Sequence, residues 1–130
     1  LLFIANCFMS EVLLLEQMSV YKLQTNLSDE LWEIVSVWNY FAKDTIGKQL
    51  TRAFDSIGAN IAEGYGRFNY GEKITVYFYA RGSAYESQYW IKRAKERRLL
   101  ENEKANIYLS TIQKITTELN RLIKTCKDKR

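Results

Sequence analysis

The apolar positions of this chain recur at three- and four-residue intervals over most of its length. Leu31, Ile34, Val35, Trp38, Phe41 and Ala42 form one stripe. Ser28 is placed to cap that segment, with Asp29 and Glu30 in the electropositive first turn, and the spacing predicts a helix over 28–43. A second stripe, Ile46, Leu50, Ala53, Phe54, Ile57 and Ile61, starts from a cap at Asp44 or Thr45. It stops where Gly64 and Gly66 can take the left-handed conformation, which predicts a helix over 45–63. A third helix over 70–97 begins at Asn69 and sets Ile74, Tyr77, Phe78, Arg81, Ala84, Tyr85, Gln88 and Ile91 on one face. Residues 75–79 are β-branched and aromatic and would suit a strand by themselves. The helical spacing runs through them to Arg98, so helix is preferred. A fourth helix over 102–126 repeats Ala105, Tyr108, Ile112, Ile115, Leu119 and Leu122 with the alternation of a bundle seam. Lys124, Lys127, Lys129 and Arg130 suit the electronegative end of that helix, which is expected to fray.

Four amphipathic helices joined by short connections cannot bury their stripes singly. The expected fold is all-α, an antiparallel up-down-up-down four-helix bundle. The absence of proline favours long, unbroken helices, and 130 residues make one domain. The division expected is an N-terminal extension or arm over 1–27, the bundle over 28–126 and a basic tail over 127–130. Leu1 to Leu15 is apolar but interrupted by Asn6, Ser10 and Glu11, short of the ~20 apolar residues of a membrane span. It lacks the basic leader and small-residue cleavage site of a signal peptide. Met18 opens a start-like segment. Residues 1–17 are therefore either an upstream extension outside the fold or an amphipathic arm that docks on a partner subunit. No membrane association is expected.

Histidine is absent, which removes the commonest general base and metal ligand and, with them, the Glu-x-x-His motifs of a di-iron bundle. Cys7 and Cys126 lie near opposite ends without close-spaced partners, so neither a zinc knuckle nor a disulfide framework is expected, and a reduced cytoplasmic setting fits. Gly64-Tyr65-Gly66 follows a helix and lacks the lysine and serine of a P-loop. No catalytic residues, cofactor or metal are expected.

Charge adds a direction. The net charge is +4, but residues 1–65 carry four basic and eight acidic groups (−4), whereas residues 66–130 carry fifteen basic and seven acidic (+8). The second half is the candidate for contact with an anion. Lys92, Arg93, Lys95, Arg97 and Arg98 are either a phosphate-binding cluster or a solvated helix end complementing the macrodipole. Tyr77, Phe78, Tyr79, Tyr85, Tyr89 and Trp90 are too many for one core face, so some are expected at the surface or at a subunit contact. Aromatic rings beside arginines can also stack unpaired bases. Arg81, on an apolar stripe, is expected to pair with Glu63 or Glu86.

Two blocks carry a resemblance. Ser56-Ile57-Gly58-Ala59-Asn60-Ile61-Ala62-Glu63-Gly64-Tyr65-Gly66-Arg67 resembles the signature of the bacterial four helix bundle protein family, which includes proteins encoded in intervening sequences of the large-subunit ribosomal RNA gene and the accessory variability determinant of diversity-generating retroelements. Tyr79-Ala80-Arg81-Gly82-Ser83-Ala84-Tyr85-Glu86 is a second matching block, and the likeness spans roughly Leu31 to Leu122. Gly58 stands where the family usually has proline, and its usual glycine between the third and fourth helices is missing near Arg97-Arg98-Leu99-Leu100. The resemblance implies a homopentamer of four-helix bundles with no enzymatic activity. For the retroelement branch it implies a basic surface that binds nucleic acid and a reverse transcriptase.

The function expected is that of a non-enzymatic oligomer binding RNA, DNA or a ribonucleoprotein partner through Arg67, Arg81, Lys92, Arg93, Lys95, Arg97 and Arg98. The alternative is a protein-interaction scaffold, with the aromatic excess and the apolar N-terminal arm as its contact surface.

Overall fold

A computed structural model describes residues 15–130. After a helical turn at 15–17, α1 spans Ser19–Ser36. The second rod, α2, is continuous through three pieces: Tyr40–Ala42, a π-helical segment Lys43–Gly47 and Lys48–Gly66. α3 spans Tyr70–Glu96 and α4 Asn102–Lys129. Among the described residues there is no strand, and 75–79 lies within α3. None of these helices is long and apolar enough to cross a membrane.

Contacts across the rods fix an antiparallel order. Gln24 and Val35 of α1 lie against Gly58 and Gly47 of α2. Arg52 and Ser56 of α2 meet Glu86 and Ser83 of α3, and Arg81 and Lys95 of α3 meet Asn120 and Asn106 of α4. α4 packs back onto α1, closing the ring of neighbours. Inside lies one core, with Leu31, Leu50, Phe54, Ile57, Ile61, Ile91, Ile112, Ile115 and Leu119 almost wholly withdrawn from water.

The stripes expected for α2 and α4 are buried, except that Leu122 is only partly so. α1 departs from expectation. It starts at Ser19 and ends at Ser36, not 28 and 43, so residues 19–27 form its first half and bury Val20, Gln24 and Leu27. Ser28 sits mid-helix and donates to the Asp55 carboxylate at 2.9 Å instead of capping. The apolar series was masked by Gln24, a polar residue in a core position. It is satisfied there: its amide donates to the Phe54 carbonyl at 2.6 Å and to Ser28 Oγ at 3.2 Å. Gly58 makes room for it, since a Cβ at 58 would fall 2.2 Å from Gln24 Oε1.

α2 starts earlier than 45 because Asn39 is the cap, accepting from the Ala42 amide at 2.9 Å. Its other end runs to Gly66, and no glycine has positive φ. Gly64 is therefore not a left-handed stop. It is a buried contact, with the Tyr77 ring against its Cα. Lys73 of α3 closes the helix end, donating to the carbonyls of Gly64 (3.1 Å) and Tyr65 (2.6 Å). At the other end of α3, Arg97 and Arg98 make a Schellman turn: Leu99 N–H bonds to Ala94 O at 2.8 Å and Arg98 N–H to Lys95 O at 3.1 Å. Arg98, with φ 62°, fills the left-handed position that glycine usually takes. α4 continues to Lys129, so most of the expected tail at 127–130 is helical.

Candidate nucleic-acid interface

α3 is built the opposite way round from an ordinary amphipathic helix. Half of its inward positions are small: Ala80, Ala84, Ser87 and Ala94 are buried beside Ile74, Val76, Tyr77 and Ile91. Three of its large rings point out, with Tyr79, Tyr85 and Tyr89 more than half exposed. The expected inward face is thus rotated: Phe78, Arg81, Tyr85 and Gln88 lie at or near the surface. Small inward residues let α2 approach closely, and the two hydroxyls of Ser56 and Ser83 meet at 2.9 Å in that contact.

Rotation of α3 places three of its cations, Arg81, Lys92 and Lys95, along the edge facing α4. Arg81, Tyr85, Gln88, Lys92 and Lys95 follow at four- and three-residue steps, one line on a helix. Across the seam, α4 offers Asn106, Gln113, Thr117, Asn120, Lys124 and Lys127 at matching steps. Two hydrogen bonds tie the lines together: Arg81 to Asn120 Oδ1 at 3.0 Å, and Lys95 to Asn106 Oδ1 at 3.2 Å. Arg81 (4.7 Å) and Lys127 (5.5 Å) both sit over the Phe78 ring. The seam positions hold five cations and no carboxylate.

The seven candidate cations separate into four places. Arg81, Lys92 and Lys95 share the seam. Arg93 lies one step outward with its guanidinium 5.8 Å from the Tyr89 ring centre, while Arg97 and Arg98 project from the α3–α4 turn. Arg67 caps the far end of α2, about 40 Å from Arg97 along α3. It pairs with Glu63 at 2.5 Å, and Glu63 followed by Glu72 holds its pKa above the ordinary value. The pairing expected of Arg81 with Glu63 or Glu86 does not form. Glu63 is taken by Arg67, and Glu86 by Arg52 and the Trp90 indole. Arg81 is only partly buried, so it needs no carboxylate.

The seam residues Lys124, Lys127, Asn106 and Asn120 were outside the expected set. Their steps of three, four and seven along α4 were visible, but the lysines also suit a helix C-terminus, and that local account hid their alignment with α3. Among the described residues no group of three or more acidic, cysteine or histidine side chains could hold a metal.

A model of the 23S rRNA-intervening sequence protein family matches residues 16–121. The chain belongs to that family. The match covers all of α1, α2 and α3 and most of α4, so it includes the seam as far as Asn120, with Lys124 and Lys127 beyond it. The chain is also similar in structure to a protein of unknown function from the S23 ribosomal protein family of Bacteroides thetaiotaomicron, with TM-score 0.72 and 21% identity over 81% of this chain and 98% of that one. At that identity the likeness establishes the all-α fold of the family member and not its role. No curated protein matches the chain.

Proposed function

We propose that this intervening-sequence family protein is a non-enzymatic oligomer, a homopentamer as the family resemblance implies, that binds nucleic acid or a ribonucleoprotein through the α3–α4 seam. The observation that carries the reading is the line of Arg81, Lys92, Lys95, Lys124 and Lys127, interleaved with amides and free of carboxylates. Such a surface attracts phosphates by charge and releases their counterions. Repetition of the seam around a ring multiplies weak contacts into useful avidity. Gel shift of the full chain with RNA and DNA at low and high salt tests the proposal. Binding should fall steeply with salt, and Lys92→Gln/Lys127→Gln should lower the salt slope by about two. Light scattering gives the oligomer mass. A monomer indifferent to both nucleic acids would refute the proposal.

A second reading, a scaffold for a protein such as a reverse transcriptase, draws on a different surface. Trp32, Val37, Tyr40 and Phe41 are exposed around the α1–α2 corner. Beside them runs a groove of about 570 Å³ lined by Tyr40, Lys43, Lys48 and Arg52. Association through that corner would persist at high salt.

A further inference from the structure

We propose that the line of α3 that runs from the partly buried Phe78 through Gly82 to the exposed Tyr85 and Tyr89 is a stacking platform for unpaired bases, so that the ligand is single-stranded nucleic acid. This rests on the seam as the phosphate-binding surface and names the form of ligand that surface takes.

The stripe runs at steps of four, three and four residues, one line on the helix. Tyr85 and Tyr89 expose 56% and 54% of their surface. Ring faces available at that level are what a single strand uses, because every base has a π-face, whereas a duplex keeps its faces stacked inside and presents phosphates and groove edges. Gly82 lies in the middle of the stripe, and a Cβ there would meet nothing within 4 Å. Glycine is the poorest helix former short of proline, and nothing in the protein packs against this one to require it. It leaves a gap between Phe78 and Tyr85. Seven residues of helix span about 10.5 Å, roughly three base-stacking intervals of ~3.4 Å.

The flanks of the stripe match a polyanion. Arg81 and Lys127 lie over Phe78 at one end, and Arg93 lies by Tyr89 at the other. Arg93 Nε is buried without a hydrogen-bond partner. That atom is out of a ligand's reach, and the terminal guanidinium nitrogens of the partly buried Arg93, beside an exposed ring, are the donors for a base edge or a phosphate oxygen. The same strand would lay its backbone on Lys92 and Lys127 of the seam and its bases on the rings.

The test uses the full chain with a labelled single-stranded oligonucleotide and the duplex of equal length, as RNA and as DNA, read by fluorescence anisotropy at two salt concentrations. The single strand should bind roughly ten-fold tighter than the duplex. Tyr85→Ser and Tyr89→Ser should each weaken single-strand binding roughly ten-fold, and Tyr89→Ser, which lies off the seam line, should leave duplex binding unchanged. Both residues are exposed, so circular dichroism melts should stay near wild type. Gly82→Leu should raise the melting temperature while weakening single-strand binding, a pair of effects that lost folding cannot produce. Equal affinity for both forms, with the tyrosine variants silent, would overturn the platform and leave the seam intact. Tyrosine variants that lower the mass in light scattering without changing single-strand affinity would overturn it as well, assigning the stripe to a contact between copies. Absence of binding to any nucleic acid would remove the seam proposal and the platform together.

Discussion

Gly64→Ala isolates the tightest contact between α2 and α3. A methyl group at 64 would lie 2.6 Å from Tyr77 Cε1 and 2.8 Å from Cδ1. The ring must retreat by roughly 1 Å to restore ordinary contact. Tyr77 is a rigid side chain, 3% exposed and enclosed by the core, so it cannot swing away as a lysine tip would. Overpacking of this kind costs about 1–3 kcal/mol. Replacing a helix glycine with alanine returns about 1 kcal/mol of helix propensity. Because Tyr77 cannot move aside, the upper half of the overpacking range applies, and the net expectation is a loss of about 1–2 kcal/mol, or roughly 4–8 °C in melting temperature for a domain of this size. Gly66→Ala is the matched control, since a Cβ there meets nothing within 4 Å. Thermal melts followed by circular dichroism should move in opposite directions for the two variants. If Gly64→Ala melts at or above wild type, or tracks Gly66→Ala, then Tyr77 does not hold that glycine in place.

Four further outcomes follow from the same geometry. Gly58→Ala should cost about 1–2 kcal/mol by displacing Gln24, and the Gln24→Ala/Gly58→Ala double variant should lose less than the sum of the singles in urea titrations. Tyr108→Phe should gain about 1 kcal/mol, because the buried Tyr108 hydroxyl has no hydrogen-bond partner; destabilisation in the same titration would show that it has one. Arg98→Gly should stabilise by about 0.5–1 kcal/mol through relief of the left-handed conformation, read as a higher melting temperature. Burial pushes the Tyr77 hydroxyl up to about 12, from an ordinary value of 10 in the unfolded chain. Its neutral form is thus favoured by folding. That contribution is complete below pH 10 and is lost as pH rises to about 12, so melting temperature should drop in that window, and Tyr77→Phe should flatten the drop.

Helix content and most of the core were legible because aliphatic side chains at three- and four-residue steps have one economical use in a chain of this length. Ile46, Leu50, Phe54, Ile57 and Ile61 are buried as their spacing required. What could not be read locally were positions whose meaning lies on another helix. Gln24 looks like a break in a stripe until Gly58 and the Phe54 carbonyl are seen opposite it. Gly64 has the composition of a helix stop, but its partner is Tyr77, thirteen residues on. α3 misled more deeply. Hydrophobicity assigns Tyr85 inward and Ser87 outward, whereas close approach to α2 demands the reverse. The basic residues were visible as a cluster, and only the rotation of α3 separated those on the seam from Arg67, Arg93, Arg97 and Arg98.

That inversion makes folding and binding separable by genetics. On most helices, a scan that selects for activity recovers many variants that have simply stopped folding. On α3 the volume-critical sites are Ala80, Ala84 and Ser87, while the bulky outward tyrosines contribute little to packing. Enlarging the former should deplete protein from the cell, and trimming the latter should leave its abundance alone. A screen scoring abundance and phenotype side by side would sort one helix into two non-overlapping sets of positions.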